Sequence, residues 1–527
     1  MTNGQSARGV DTVGGEQQQP PLLQQRLLVA SEQTSTPQTV GVGSRASKKR
    51  DEPVDRLLLL GCYTSFASMY MLVSFVAPFF PANADRWHLS HMQVGWICSC
   101  DAIGEVLSTA FATLVMAKMG CARAAVAGQI GNGISSLIFG LIPLVTQNET
   151  ALFLGFTVMR LLNGAMTNIT FIAVMAVLCN LMPDKIGQVA ANIAVLSTIG
   201  LTLGPPFGGI LTALGGSIVD GMNLERENGR NWQFATPFIG CTVLLLLPTF
   251  VLWKARHTID AAEELDSGEA EVEVSFSEEW RRMKSIINKP VMAAVLATVV
   301  TSIGQDARDP ILGPHLASRC ADSEVIPGEH FPFDYTPLQI SLVFSSTCLT
   351  FLPLSTYIGA QADIKGRDFA WLRRVMALGL GLEAVAFLLM GPSSMLPTKL
   401  IREMETDSCV VLSQMVLGMS NALTLIAAFP FIEGVCELTA TTQLTQTQRM
   451  AVAGTWYNAA FSLGCALGPL TTGAMSDFVR FSDCVQVLSV ISLIAMVCVY
   501  LEGVGNTGKV RISPSQSRML FSPGPAG

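Results

Sequence analysis

Leu203-Gly204-Pro205-Pro206-Phe207-Gly208-Gly209 and Leu467-Gly468-Pro469-Leu470-Thr471-Thr472-Gly473 are two versions of one short pattern, with Gly468 falling 264 residues after Gly204. Each Gly-Pro pair sits inside a long apolar stretch, 188–212 in the first case and 451–474 in the second. Pro removes a backbone donor and breaks or kinks a helix in water. Membrane helices tolerate it, because neighbouring helices re-satisfy the freed backbone groups. The pattern therefore points to membrane helices, and its recurrence points to an internal repeat.

A crossing helix needs about 20 mostly apolar residues to span about 30 Å of hydrocarbon. Twelve stretches meet this: 57–79, 93–116, 124–145, 151–179, 188–212, 234–253, 290–312, 337–358, 371–391, 409–432, 451–474 and 484–502. The two Gly-Pro stretches are the fifth span of each set of six. A second recurrence supports the same division. Gly359-Ala360-Gln361-Ala362-Asp363-Ile364-Lys365-Gly366-Arg367 follows span 8, and its counterpart after span 2 keeps Lys118, Gly120 and Arg123, with Gly366 falling 246 residues after Gly120.

Composition agrees. Of 527 residues, 50% are hydrophobic and only 14% charged, against about 25% charged in soluble domains. The mean hydropathy is +0.44. A soluble chain of this length lacks the charge to cover its surface. A net charge of −7 argues against bulk nucleic-acid binding, and the 13 Cys are scattered rather than arranged as a disulfide scaffold or metal motif. The fold class that follows is an all-α membrane protein, twelve transmembrane helices in two pseudo-symmetric six-helix halves. Parallel repeats of this kind place a transporter's substrate at the repeat interface near the bilayer midplane.

The expected domains are a disordered cytosolic tail over 1–52, a first half over 53–254, a charged cytosolic linker over 255–289, a second half over 290–502 and a disordered cytosolic tail over 503–527. With both termini cytosolic, 24 of the 33 Lys and Arg fall on the cytosolic side and 7 on the other, leaving Arg160 and Arg308 inside spans. The flanks of the tail and the central linker carry this assignment. Asn148-Glu149-Thr150 is a glycosylation sequon in the loop between spans 3 and 4, on the lumenal or extracellular side in this topology. Asn168-Ile169-Thr170 also matches, but lies within span 4.

The chain resembles the major facilitator superfamily over roughly 55–505. Gly359–Arg367 resembles that family's loop signature GxxxDxxGR, with Gly359, Asp363, Gly366 and Arg367 in place. Arg160-Leu161-Leu162-Asn163-Gly164 is similar to its span 4 signature with a buried arginine. Gly200–Gly209, which includes Gly204 and Pro205, resembles the span 5 antiporter signature GxxxGPxxGG, and Ala77-Pro78-Phe79-Phe80-Pro81 the end of span 1 in drug:proton antiporters. Within the superfamily, 459–469, Ile287-Asn288-Lys289-Pro290 and Asp309-Pro310-Ile311-Leu312 resemble the vesicular amine and polyamine transporters. Against the monoamine branch, Asp101 stands where a lysine is expected, Asn458 where a span 11 aspartate is expected, and span 1 holds no acid. The resemblance therefore implies the polyamine branch or a relative of it. It also implies that Gly204-Pro205 and Gly468-Pro469 shape spans 5 and 11, and that Asp363, Lys365 and Arg367 form a charge network at the cytosolic face.

An ionisable group within a span costs about 2.5–3.5 kcal/mol or more and needs a partner or a function. Asp101, Glu105, Asp306, Asp309 and Glu383 are the acids so placed. Asp101 and Glu105 share one face of span 2, at a depth of about 12–18 Å by helical rise. Two carboxylates on one dry face do not both ionise cheaply. Such a pair suits exchange, in which one acidic site is alternately protonated or bound to a cation. Arg160 lies mid-span with no acid on its own helix, so it requires a carboxylate from another span, in a gating or a static packing role. The expected activity is proton-coupled antiport of an organic cation, an amine or polyamine, by a monomer in a vesicle or plasma membrane. No enzyme chemistry, cofactor, metal or nucleic acid is implied. A multidrug or organic-anion carrier, with Arg160 reading substrate, and a transport-dead receptor or scaffold are the alternatives. Cys320, Cys409 and Cys484 fall near lumenal ends, where one disulfide among them is open.

Overall fold

The computed structural model describes residues 56–182, 186–222, 226–266, 287–317, 335–365, 368–391, 407–439 and 446–506. The tail 1–52, most of the central linker, Cys320, Gly366, Arg367 and residues beyond 506 lie outside the described residues.

Among the described residues every regular element is helical. The first half contains α1 (Arg56–Ser74), α2 (Phe80–Ala84), a 3-10 turn (Asp85–Trp87), α3 (His91–Met119), α4 (Cys121–Val145), α5 (Glu149–Leu181), α6 (Ile186–Met222) and α7 (Arg226–Asp266). The second contains α8 (Lys289–Ala307), α9 (Asp309–Ala317), α10 (Pro337–Lys365), α11 (Phe369–Met390), α12 (Asp407–Thr439), α13 (Gln446–Ser476) and α14 (Phe481–Asn506). Helix starts carry the signals that a backbone with unsatisfied N–H groups requires. Ser90 and Gln93 form a capping box on α3, Asn148 caps α5, Asn288 precedes Pro290 on α8, and Asp368 caps α11.

The twelve expected spans map onto these helices, several of which run beyond the expected bounds, and three differences bear on the architecture. Span 1 ends at Ser74, before Pro78 and Pro81, and the chain turns into α2. Span 7 breaks at Arg308, between α8 and α9, where Pro310 withholds the donor a continuous helix would use. The helix of span 6 runs on to Asp266, beyond the expected boundary at 254. Eight stretches are long and apolar enough to cross a membrane by length and hydropathy alone, those in α4, α5, α6, α7, α8–α9, α10, α12 and α14. Of the others, α3 carries Asp101 and Glu105 and α11 carries Arg373, Arg374 and Glu383.

The packing repeats in the two halves. In the first, α3 packs on α5, α1 on α6, α4 on α5 and α4 on α7; in the second, α10 packs on α12, α8 on α13, α11 on α12 and α11 on α14. The halves meet along α3–α13 and α6–α10. The Gly-Pro stretches do equivalent work. A methyl at Gly200 or Gly204 would strike the α1 carbonyls of Ala67 and Met71, and one at Gly464 or Gly468 would strike the α8 carbonyls of Val299 and Ile303. Small residues there let backbones approach.

Buried apolar side chains form four clusters, one at each end of each half. The cluster where α3 begins is aromatic: Phe80, Phe139 and Phe156 have centroids 4.6–5.3 Å apart, and Trp87 meets Phe234 edge-on at 4.9 Å. This end of the bundle, which also holds Asn148 and residues 477–480, is called the outer end below.

Candidate functional site

Asp101 and Arg160 come together because two helices cross without side chains between them. A methyl at Gly164 of α5 would overlap the carbonyl of Asp101, and one at Gly104 of α3 would overlap that of Leu161. One turn away from Gly164, the Arg160 guanidinium stands 3.6 Å from the Asp101 carboxylate. Arg160 is 8% exposed and Asp101 5%. At that distance the pair is an ion pair without a direct hydrogen bond. Asp101 Oδ1 and Arg160 Nε find no protein partner, so the carboxyl keeps capacity for a proton or a donor, and the guanidinium keeps one N–H to offer an acceptor. Next to them Asn163 donates to Asn132 Oδ1 at 2.6 Å and Ser136 Oγ at 2.7 Å, which fixes α5 on α4.

The second half repeats this crossing with different chemistry. A methyl at Gly418 of α12 would overlap the carbonyl of Thr347 on α10, as Gly164 abuts that of Asp101. Gln414 then stands in the position of Arg160, since both it and Gly418 follow their counterparts by 254 residues, and Thr347 stands 246 residues after Asp101. A cation enters from outside the crossing. Arg308, at the break between α8 and α9, donates to Thr347 Oγ1 and Gln414 Oε1. Its guanidinium lies 5.2 Å from the Phe344 centroid and 3.9 Å from Asp309 Oδ1.

The four acids near the centre act on one another across the halves. Glu105 lies in the fields of Asp101, Asp306 and Arg160. Asp309 lies in those of Asp306, Arg308 and Arg160. Asp306 also accepts from Gln305 Nε2 at 3.2 Å and lies beside Cys465 of α13. Asp101 and Arg160 lie ten and eleven residues from the outer ends of α3 and α5, a common depth of about 15–17 Å by helical rise, and Asp306 lies at the end of α8, just before the break at Arg308. The group holds four carboxyls and two guanidiniums, so it is two acids richer than its own cations can neutralise. With Asp101 facing Arg160 and Asp309 facing Arg308, the surplus falls on Glu105 and Asp306.

Other expected residues do not join this group. Glu383 is fully buried in α11, where its Oε2 accepts from Thr301 Oγ1 of α8 at 3.2 Å and Ser492 of α14 lies nearby. A methyl at Gly304 would overlap its other oxygen. Glu383→Gln, which keeps the shape, is therefore expected to match wild type in melting temperature and exchange. Glu383→Ala is expected to lose about 2–4 kcal/mol through the cavity and the stranded hydroxyls. Thermal unfolding and counterflow check both. Asn458 is exposed on α13, and Asn148 is exposed at the start of α5, where its Oδ1 accepts from Ala151 N at 3.1 Å. Gly359 and Asp363 lie in the last two turns of α10. Asn168 donates to Glu105 O and Ser108 Oγ, both at 2.9 Å, and is a helix-packing residue.

Arg308 and Cys465 were missed as site residues from sequence alone. The usable signal for Arg308 was its place among the two basic residues inside spans; for Cys465 there was none.

A sequence model of the Major Facilitator Superfamily matches residues 62–311. The MFS-type transporter SLC18B1 of Mus musculus is 22% identical over 462 residues, covering 85% of this chain and 88% of that protein. The Homo sapiens protein of the same name is 23% identical over 427 residues, covering 81% of each. Among solved structures, the nucleoside transporter NupG superposes with a TM-score of 0.57 at 13% identity, over 87% of this chain and 100% of that one. A bacterial homolog to the human lysosomal transporter Spinster, inward-facing and occupied, superposes with a TM-score of 0.59 at 12% identity, over 88% and 99%.

Proposed function

We propose that the chain, whose residues 62–311 match the Major Facilitator Superfamily model and whose fold is like that of the solved transporters above, is a major facilitator carrier that exchanges protons for an organic cation, an amine or polyamine, by alternating access. One observation carries this reading: the two-carboxyl surplus where the halves face each other, borne by Glu105 of α3 and Asp306 of α8. A buried acid without a cationic partner is costly when ionised. Each surplus carboxyl therefore takes either a proton or an ammonium group, and the two occupants exclude each other. That mutual exclusion is the requirement for antiport. A chain with several amines, spaced to reach both carboxyls, satisfies the surplus at once.

Arg160 and Arg308 act as fixed counter-charges in this scheme. Each stands beside one aspartate and offsets its charge, so that the transported cation is left to neutralise the other two acids. The same pairing disfavours an organic-anion carrier, because Arg160 already faces Asp101 and Arg308 is held by Thr347 and Gln414. The names of the mouse and human relatives and the resemblance to vesicular amine and polyamine transporters support the class. The carrier works as a monomer with both termini cytosolic, in a vesicle or plasma membrane, with Asn148 glycosylated on the far side.

Proteoliposomes with an acidic interior test the reading. Concentrative uptake of a labelled diamine or polyamine, abolished by collapsing the pH gradient, is expected. Absence of counterflow for every amine offered, or uptake of organic anions in their place, refutes it. In intact cells, an epitope at residue 148 is expected to be reachable from outside or from the lumen; a cytosolic epitope there reverses the orientation.

A further inference from the structure

α3 begins at the outer end with His91 and Met92, and their backbone N–H groups are not satisfied from within their own half. Asp477, in the turn that follows α13, accepts from both: Oδ1 from His91 N at 3.0 Å and Oδ2 from Met92 N at 3.1 Å. The next amide, Gln93 N, is taken by Ser90 Oγ at 3.2 Å. The cap of α3 is thus divided between the two halves of the protein. A carboxylate at a helix N-terminus meets both unpaired donors and the positive end of the helix dipole.

The position of this contact gives it a role. It lies where α3 and α13 approach backbone to backbone: a methyl at Gly95 would overlap the carbonyl of Pro469, and one at Gly473 would overlap that of His91. The other seam of the same end, α6 on α10, is closed at Gly209 against Leu338 and Ser341. Asp477 is solvent-exposed and lies well outside the acid group.

We infer that Asp477 is a positioning residue for transport, a latch that holds the outer end shut by capping the opposite half's α3 and must release before the acids face that side. The contact spans the halves, so it exists only while they are closed there. Release leaves two N–H groups to water and the carboxylate to solvent, a modest cost at an exposed site, as a repeatedly opened latch requires. The inference rests on alternating access and not on which substrate is carried.

Hydrogen exchange on the full-length protein in lipid nanodiscs tests it without any substrate, so an error in the assigned cargo leaves the result interpretable. Asp477→Ala is expected to raise amide exchange about fivefold at the start of α3 and also at 337–342 on the other seam, which Asp477 does not touch. Asp477→Asn, which keeps one acceptor and the size, is expected to fall between. Ser90→Ala removes only the cap supplied within the half, and its effect is expected to stay within the first turn of α3. A concerted rise at both seams for the Asp477 variants alone supports the latch. A rise confined to 91–95, no rise at all, or the same pattern in Ser90→Ala overturns it and leaves Asp477 a local cap.

Discussion

Arg160→Ala is expected to impair the proposed exchange severely and to weaken the fold at the same time. Removing one member of a buried ion pair leaves the other uncompensated, which costs about 3–5 kcal/mol. Here the stranded group is Asp101, 5% exposed and already short of one hydrogen bond. The loss of transport alone is expected to be on the order of a hundredfold, the scale set by misplacing a reacting group by about 1 Å. The neutral pair Arg160→Gln with Asp101→Asn separates the two effects. Its melting temperature is expected to return close to wild type, since no unpaired charge remains, whereas exchange stays lost. Arg160→Lys keeps the charge but not the planar fork and is expected to recover little. Wild-type exchange by the neutral pair in proteoliposomes would show the ion pair to be packing.

The second large effect comes from Glu105→Gln combined with Asp306→Asn. These carboxyls have no guanidinium of their own, and each unpaired acid within a span costs about 2.5–3.5 kcal/mol when ionised. Removing both is expected to keep or slightly raise the melting temperature and to eliminate accumulation driven by a pH gradient. If they carry only the proton, substrate-for-substrate counterflow survives. If they also bind the ammonium groups, counterflow falls too. Accumulation retained at the wild-type level refutes the assignment and transfers it to Asp101 and Asp309.

The helices were legible because hydropathy is local and the repeat can be read along the chain without knowing any contact. The 264-residue offset of the Gly-Pro stretches marked helices that do the same job, packing α6 on α1 and α13 on α8. The need for a partner to Arg160 was also legible, since an isolated cation at that depth is untenable, but the partner's name was not. Asp101 meets it only because Gly104 and Gly164, on different helices, permit the crossing. Arg308 escaped for a related reason. Hydropathy put it near the end of a continuous span, whereas the break before Pro310 sets it beside Thr347 and Gln414. For Glu383 the mid-span depth was legible but not its surroundings: its hydrogen bond comes from Thr301 within its own half, away from the central acids.

The seams at Gly95, Gly473 and Gly209 have a mechanical meaning beyond closeness. Interlocked side chains act like gear teeth: parting them means lifting each tooth, with rotamers changed on both faces and entropy exchanged at every step. A glycine-lined face has no teeth. Its contacts are dispersion and weak Cα–H···O approaches, each small and none requiring one register. Under the proposed alternating access, such contacts would act as plain bearings, letting the halves move at these three points with little repacking.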